Sequence, residues 1–161
     1  MAGETDEVRC EVTVTASADR AFEVFTEGLS TWWPSAYTWS QEGLERIAIE
    51  PFAGGACLER GPYGFRCDWG RVLAWEPPDR VVFTWQIGPT RVPEPAPDRA
   101  SEVEVRFHAS GGSTRVELVH RGFARHGEGA ESYRTAMGSE KGWPFLLEQF
   151  AAAAEQAAGA A

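Results

Sequence analysis

The sequence contains no apolar run approaching the roughly 18 residues of a membrane-spanning helix. Its first ten residues, MAGETDEVRC, are acidic where a signal peptide would be apolar. Neither a leader nor an anchor is expected, and the expected location is the cytoplasm. Cysteine is scarce: Cys10, Cys57 and Cys67 are odd in number and show no Cys-x-x-Cys spacing. A disulfide framework and a zinc site are therefore not signalled, and reduced thiols are expected. The three histidines are equally scattered, so no metal and no cofactor is expected. Positive charge is short as well. Fifteen Lys plus Arg against twenty-four Asp plus Glu give a formal charge of -9, which repels phosphate backbones and anionic lipid and argues against nucleic acid or membrane as partners. No repeat, linker or nucleophile motif stands out.

What is present is a core. A chain of 161 residues is the size of one domain, here expected over residues 1–161 with its core at about 8–157. Aromatics make up 12 % of it, including seven Trp, more large rings than a minimal core needs, which suggests a lined cavity. In GWPFLLEQFAAAAEQA, from Gly142 to Ala157, Trp143, Leu146, Leu147, Phe150, Ala153 and Ala154 fall on one stripe of a helix of about four turns. Upstream, Val8, Cys10, Val12 and Val14 alternate with polar residues and predict a half-buried strand. Ser17 offers a helix N-cap, Gly28 lies past the end of that helix, and a further turn, Leu29–Trp33, is stopped by Pro34. Adjacent side chains on a helical turn diverge by about 100°, so of Trp32 and Trp33 one is expected to face a cavity. Residues 34–43 read as a loop with Tyr37 and Trp39 as anchors. Strands follow at Ile47–Ile49, Ala56–Arg60, Phe65–Trp75, Arg80–Ile87, Glu102–Ala109 and Thr114–Phe123, with a proline-rich loop over 88–99 and a short helix over Ala130–Met137.

Counting outward from the turns predicts which side chains face the last helix. A four-residue connection from Glu76 to Asp79 sets Ala74, Val72, Gly70 and Asp68 opposite Val81, Phe83, Trp85 and Ile87. The Gly111-Gly112 turn matches Val103, Val105 and Phe107 with His120, Leu118 and Val116. Across Gly61–Gly64, Glu59 is expected opposite Arg66 as an ion pair, and Cys57 opposite Asp68. The predicted inner face is apolar with four ionisable groups: Glu59, Arg66, Asp68 and His120. For His120 a hydrogen-bonded core position is the simpler expectation.

Several segments together resemble a known family: VTASADRAFEVF, Trp32-Trp33-Pro34, Gly54-Gly55, CDWGRVLAWEPPDRVVFTW, TRVELVHRG and Gly142-Trp143. In order and spacing they are similar to the helix-grip superfamily of START lipid-transfer domains, birch-pollen-type allergens and polyketide cyclases (SRPBCC). More narrowly they resemble bacterial proteins with a domain like the C-terminal domain of the activator of the heat-shock-protein-90 ATPase. The resemblance implies an α+β helix-grip (START-like) fold: a curved antiparallel sheet wrapped around a long C-terminal helix, with two short helices after the first strand. It also implies a cavity that takes apolar or amphipathic small molecules. The co-chaperone's N-terminal domain has no counterpart in the sequence, so chaperone activation is the less expected role.

The leading functional expectation is a small-molecule binding protein with its pocket between the last helix and the sheet. Trp32, Trp33, Phe83, Trp85, Trp143 and Leu147 would wall it, while Glu59, Arg66, Asp68 and His120 would orient a polar end. The alternatives are a cyclase- or hydrolase-type enzyme with His120 or Asp68 as acid-base group, and a co-chaperone-like interaction module; a homodimer is left open. Small residues from Ala151 to Ala154 let the sheet come close, so the cavity is expected at the Trp143 end of the helix, near the Trp32-Trp33 turn, and the alanine end is expected shut; a filled interior at Trp143 would tell against a pocket.

Overall fold

The structure is a computed structural model and describes residues 6–159. The first five residues, and the side chain of Ala157 at the expected end of the core, lie outside the described residues. Seven antiparallel strands form one curled sheet: β1 (Glu7–Val14), β2 (Arg46–Ile49), β3 (Ala56–Arg60), β4 (Arg66–Glu76), β5 (Arg80–Trp85), β6 (Ser101–Ser110) and β7 (Ser113–Arg121), in the order β1-β7-β6-β5-β4-β3-β2. Four helices accompany it: α1 (Ala18–Phe25), α2 (Leu29–Trp32), α3 (Ala130–Met137) and α4 (Trp143–Gly159). This is the expected helix-grip arrangement.

The local reasons for these elements are those the residues suggest. Ser17 caps α1, its Oγ accepting from Arg20 N at 3.1 Å, and Phe22 and Phe25 point inward from that helix. Along α4, Trp143, Leu146, Leu147, Phe150 and Ala154 are all buried, the stripe expected of a helix gripped on one side. Its alanine end is held against β1, where Glu155 accepts from Thr15 N at 2.6 Å.

Register follows expectation on one side of the sheet and departs from it on the other. In the β6–β7 hairpin, Val103, Val105 and Phe107 pair with His120, Leu118 and Val116 as the turn predicts. In β4, two bulges intervene. Glu76, and not Trp75, pairs with Arg80, and the offset is taken up between Val72 and Ala74, so Val72 still meets Phe83. A second shift lies between Cys57 and Leu58, which pair with Gly70 and Asp68 and leave Trp69 as the extra residue. Glu59 therefore pairs with Cys67, and Arg66 with Arg60. The expected Glu59–Arg66 ion pair does not form. Gly70 makes room for a backbone, not for the Trp85 ring: a Cβ there would lie 2.4 Å from the Thr84 carbonyl oxygen. The Thr84 hydroxyl oxygen accepts the Arg71 N–H at 2.8 Å beside the bulge.

The outer face carries a charged network centred on Glu104, which is held by Arg80, by Arg106 at 2.9 Å and by Arg121 at 2.8 Å. Burial opposes its charge, but the hydrogen bonds from Arg80 and Arg121 and the charges of Arg106 and Arg121 outweigh that and lower its pKa to about 2. Depression below the usual value of 4.5 means that this stabilisation is present above that pH and is lost as pH falls towards about 2. Glu104→Gln is expected to cost about 1 kcal/mol, lowering Tm by about 2–4 °C at neutral pH. Melting curves recorded at decreasing pH should show that difference closing below about pH 4.5; a pH-independent difference would assign Glu104 a packing role only.

Candidate functional site

The site is built around residues 34–43, which cross one end of the sheet as a strap. Pro34 ends α2, and two 3-10 turns, Ser35–Tyr37 and Gln41–Gly43, coil the chain without pairing it to a strand. Its anchor is Glu59, 1 % exposed, on β3. The Glu59 carboxylate accepts from Trp39 N at 3.2 Å, from Ser40 N at 2.7 Å and from Ser40 Oγ at 2.6 Å. Three donors on one carboxylate offset its removal from water, with no cation paired to it among the described residues. Gly61 is part of this anchor, since a Cβ there would lie 2.2 Å from Ser40 Oγ. Two further bonds tie the strap across the fold. Tyr37 Oη donates to the carbonyl of Lys141 at 2.9 Å, and Trp39 Nε1 to the carbonyl of Arg91 at 2.8 Å.

Beneath the strap is a cavity of about 690 Å³. Trp33, Trp39, Trp69 and Trp85 line it together with Tyr37, Ile47, Met137 and Leu146. Trp33 and Trp69 lie nearly parallel, with ring centroids 6.4 Å apart and planes at 20°, and Trp85 meets Trp69 edge-on at 5.6 Å. Trp85 is held in place from behind: its Nε1 donates to Tyr133 Oη at 2.7 Å, which in turn donates to the Ile87 carbonyl at 2.8 Å. Trp69 Nε1 is the buried side-chain polar atom left without a hydrogen-bond partner among the described residues.

Behind this wall runs a chain of hydrogen bonds whose direction is fixed by chemistry. Trp143 Nε1 can only donate, and it donates to His120 Nδ1 at 2.9 Å. The neutral ring then carries its proton on Nε2, which donates to Ser101 Oγ at 2.7 Å. The serine hydroxyl passes on to His126 Nε2 at 2.8 Å, which also takes the Ser101 N–H at 3.3 Å. Burial, and secondarily the neighbouring His126, hold the His120 pKa well below its usual 6.5.

The structure separates the residues expected at the site. Trp33 and Trp85 line the cavity. Trp143, His120 and Phe83 are buried in the layer behind it, and Leu147 in the core along α4. Trp32 turns away, its Nε1 donating to the Val24 carbonyl at 2.9 Å and its ring packing on Phe25 and Phe150; of the adjacent pair, Trp33 is the cavity residue. Glu59 anchors the strap and does not face the cavity. Asp68 and Arg66 leave the inner face expected of them. The bulge at Trp69 turns Asp68 to the exposed face, where its carboxylate accepts from Arg66 Nε at 2.8 Å, and neither residue reaches the cavity. The cavity lies at the expected end of α4, yet the space around Trp143 is filled by Trp33, Trp85 and His120 at centroid distances of 5.5–6.1 Å, so the open volume stands beside that ring under the strap. Trp69, Arg91 and Lys141 are lining residues that sequence reasoning missed; Tyr37 and Trp39 do anchor the loop, as their place in it suggests.

Residues 15–155 match the family model described as "Activator of Hsp90 ATPase homolog 1-like protein". No curated protein matches the chain. Among solved structures, the chain is similar to Txn09, an anthrahydroquino-γ-pyrone synthase solved with a compound designated SUM: 39 % identity over 92 % of this chain and 96 % of that one, TM-score 0.65. It is also similar to CalC, a self-sacrificing resistance protein from Micromonospora echinospora: 30 % identity, 94 % and 96 % coverage, TM-score 0.68. The protein NE0264 from Nitrosomonas europaea, at 16 % identity, 93 % and 94 % coverage and TM-score 0.65, shares the fold.

Two outcomes are expected from this geometry. Glu59→Ala strands three strap donors and should cost about 2–4 kcal/mol, with the amides of Trp39 and Ser40 exchanging at least tenfold faster in hydrogen-exchange measurements; unchanged exchange would remove the anchoring role. His120, neutral in the fold and protonated below about pH 6.5 when unfolded, makes stability constant above that pH and declining below it. Nitrogen NMR should find His120 as the Nε2–H tautomer at pH 6.5 and well below it; an imidazolium appearing near pH 6.5 would contradict the bonding chain.

Proposed function

The chain belongs to the activator of Hsp90 ATPase homolog 1-like family, and we propose that this member binds a planar, polycyclic aromatic small molecule between the strap and the sheet. The observation that carries this reading is the cavity wall: four tryptophans around about 690 Å³, a volume inside the range of roughly 300–1,000 Å³ typical of small-molecule sites. Flat indole faces favour flat ligands through offset stacking and edge contacts. The 39 % identity with a protein named an anthrahydroquino-γ-pyrone synthase supports the same class of molecule, because that name describes a fused aromatic skeleton.

A second reading, ring closure of such a molecule in the same cavity, is favoured by that one identity. His120 and Asp68 do not serve it: His120 Nδ1 is occupied by Trp143, and Asp68 lies on the exposed face. An enzyme here would act mainly by holding a flexible precursor in its reactive fold. Incubation with a linear polyketide-type precursor, followed by chromatography, separates the two readings, a cyclised product above the uncatalysed level marking the second.

For binding, titration with 1,8-dihydroxyanthraquinone should quench tryptophan fluorescence saturably. Trp33→Ala is expected to weaken the probe by on the order of tenfold, about 1.4 kcal/mol, while Tyr63→Ala, at the fully exposed tip of the β3–β4 hairpin, leaves it unchanged. Absence of saturable quenching up to the solubility limit would remove the reading.

A further inference from the structure

We infer that the ligand carries an anionic oxygen group, a carboxylate or an ionised phenol, at the end that meets the rim of the cavity; this deepens the small-molecule reading and rests on it. The charged residues lining the cavity are Arg91 and Lys141, both cations, and no acid joins them. The chain has twenty-four acidic residues against fifteen basic ones, so the lining runs against the composition. Lys141 is moreover its single lysine.

Both cations are held in position by their backbones. The strap fixes the Lys141 carbonyl through Tyr37 and the Arg91 carbonyl through Trp39, so neither side chain is used to close the site. Neither enters an ion pair among the described residues. The Arg91 guanidinium rests over the Tyr133 ring, 5.0 Å from its centroid, a contact that orients the group and leaves its charge uncompensated.

A third positive element converges on the same rim. Gly142 and Leu146, at the start of α4, line the cavity, and the first turn of that 17-residue helix contains no acidic residue. The positive end of the helix dipole therefore adds to the field of Lys141. Apolar walls concentrate such a field inside a cleft. An anionic oxygen entering the rim meets two cations and a helix N-terminus, whereas a cationic group meets repulsion with no acid to answer it.

The test uses three probes of one shape: anthraquinone-2-carboxylate, its neutral 2-carboxamide and the cationic 2-aminomethyl analogue. Affinities come from tryptophan quenching. A second readout is the ¹³C-dimethyl signal of Lys141, introduced by reductive methylation, which keeps the charge and gives one lysine resonance. The carboxylate is expected to bind on the order of tenfold tighter than the carboxamide, to shift the Lys141 signal, and to lose its advantage on raising salt from about 50 to about 500 mM. In an Arg91→Gln/Lys141→Gln double variant, which keeps both carbonyls, the ratio of carboxylate to carboxamide affinity should fall to about one. Equal affinity of carboxylate and carboxamide, or tighter binding of the amine, overturns the charge inference and leaves the small-molecule reading standing. Saturable binding of none of the three overturns both.

Discussion

The cavity depends on a carboxylate that takes no direct part in lining it. Glu59 is buried with no ion pair among the described residues, a placement that costs several kcal/mol unless its oxygens are bonded. The strap answers with two backbone N–H groups and a serine hydroxyl. The dependence runs both ways. Residues 34–43 have no strand to pair with, and their polar backbone finds its order in that carboxylate, in Tyr37 on Lys141 and in Trp39 on Arg91. Lifting the strap would expose Trp33 and Trp69 and leave a buried charge unbonded at the same moment. The closed arrangement is thus one cooperative unit and not a loop lying over a hole.

Trp143 explains why the open volume sits to one side of the helix axis. A helix gripped by a sheet would put its first large ring at the centre of any cavity, and here that ring is fixed by His120 and packed by Trp33 and Trp85. The bond is directional at both ends: an indole that only donates selects the tautomer of a buried imidazole, which selects the orientation of the Ser101 hydroxyl. Trp85, tied to Tyr133, and Trp143, tied to His120, become a rigid partition. One side of it is core; the other is the cavity wall.

Much of the fold was legible because it rests on patterns with a fixed period. The α4 stripe, the alternation in β1 and the β6–β7 register follow from periods of 3.6 and 2 with a two-glycine turn between strands. The site was legible where it rides on those patterns, as for Trp85 and His120 on their inward positions. It was illegible where β4 breaks its period. Each bulge inverts the alternation beyond it, so Trp69 came inward and Asp68 went out, and nothing in CDWGRV marks the extra residue except Gly70, whose missing side chain admits the Thr84 carbonyl. The partner of Glu59 was beyond reach for a different reason: it lies in a loop 19 residues away in sequence, and no periodicity relates a loop serine to a strand carboxylate. Tyr37 and Trp39 signalled anchoring, but which carbonyls they hold is a matter of how three loops converge.

These bonds also limit what chemistry the cavity can perform. The groups best suited to move protons are already committed, His120 to Trp143 and Ser101, Glu59 to the strap, and Tyr37 to the Lys141 carbonyl. General acid-base work requires a group within hydrogen-bond reach of the substrate and free to exchange its proton. What the lining leaves uncommitted is ring surface, the Gln41 carboxamide and two cations, a set that would position a flat molecule on the proposed reading. On the proposed reading the site would hold and orient a bound molecule, and a reaction in it would draw its barrier reduction in part from the shape imposed on that molecule.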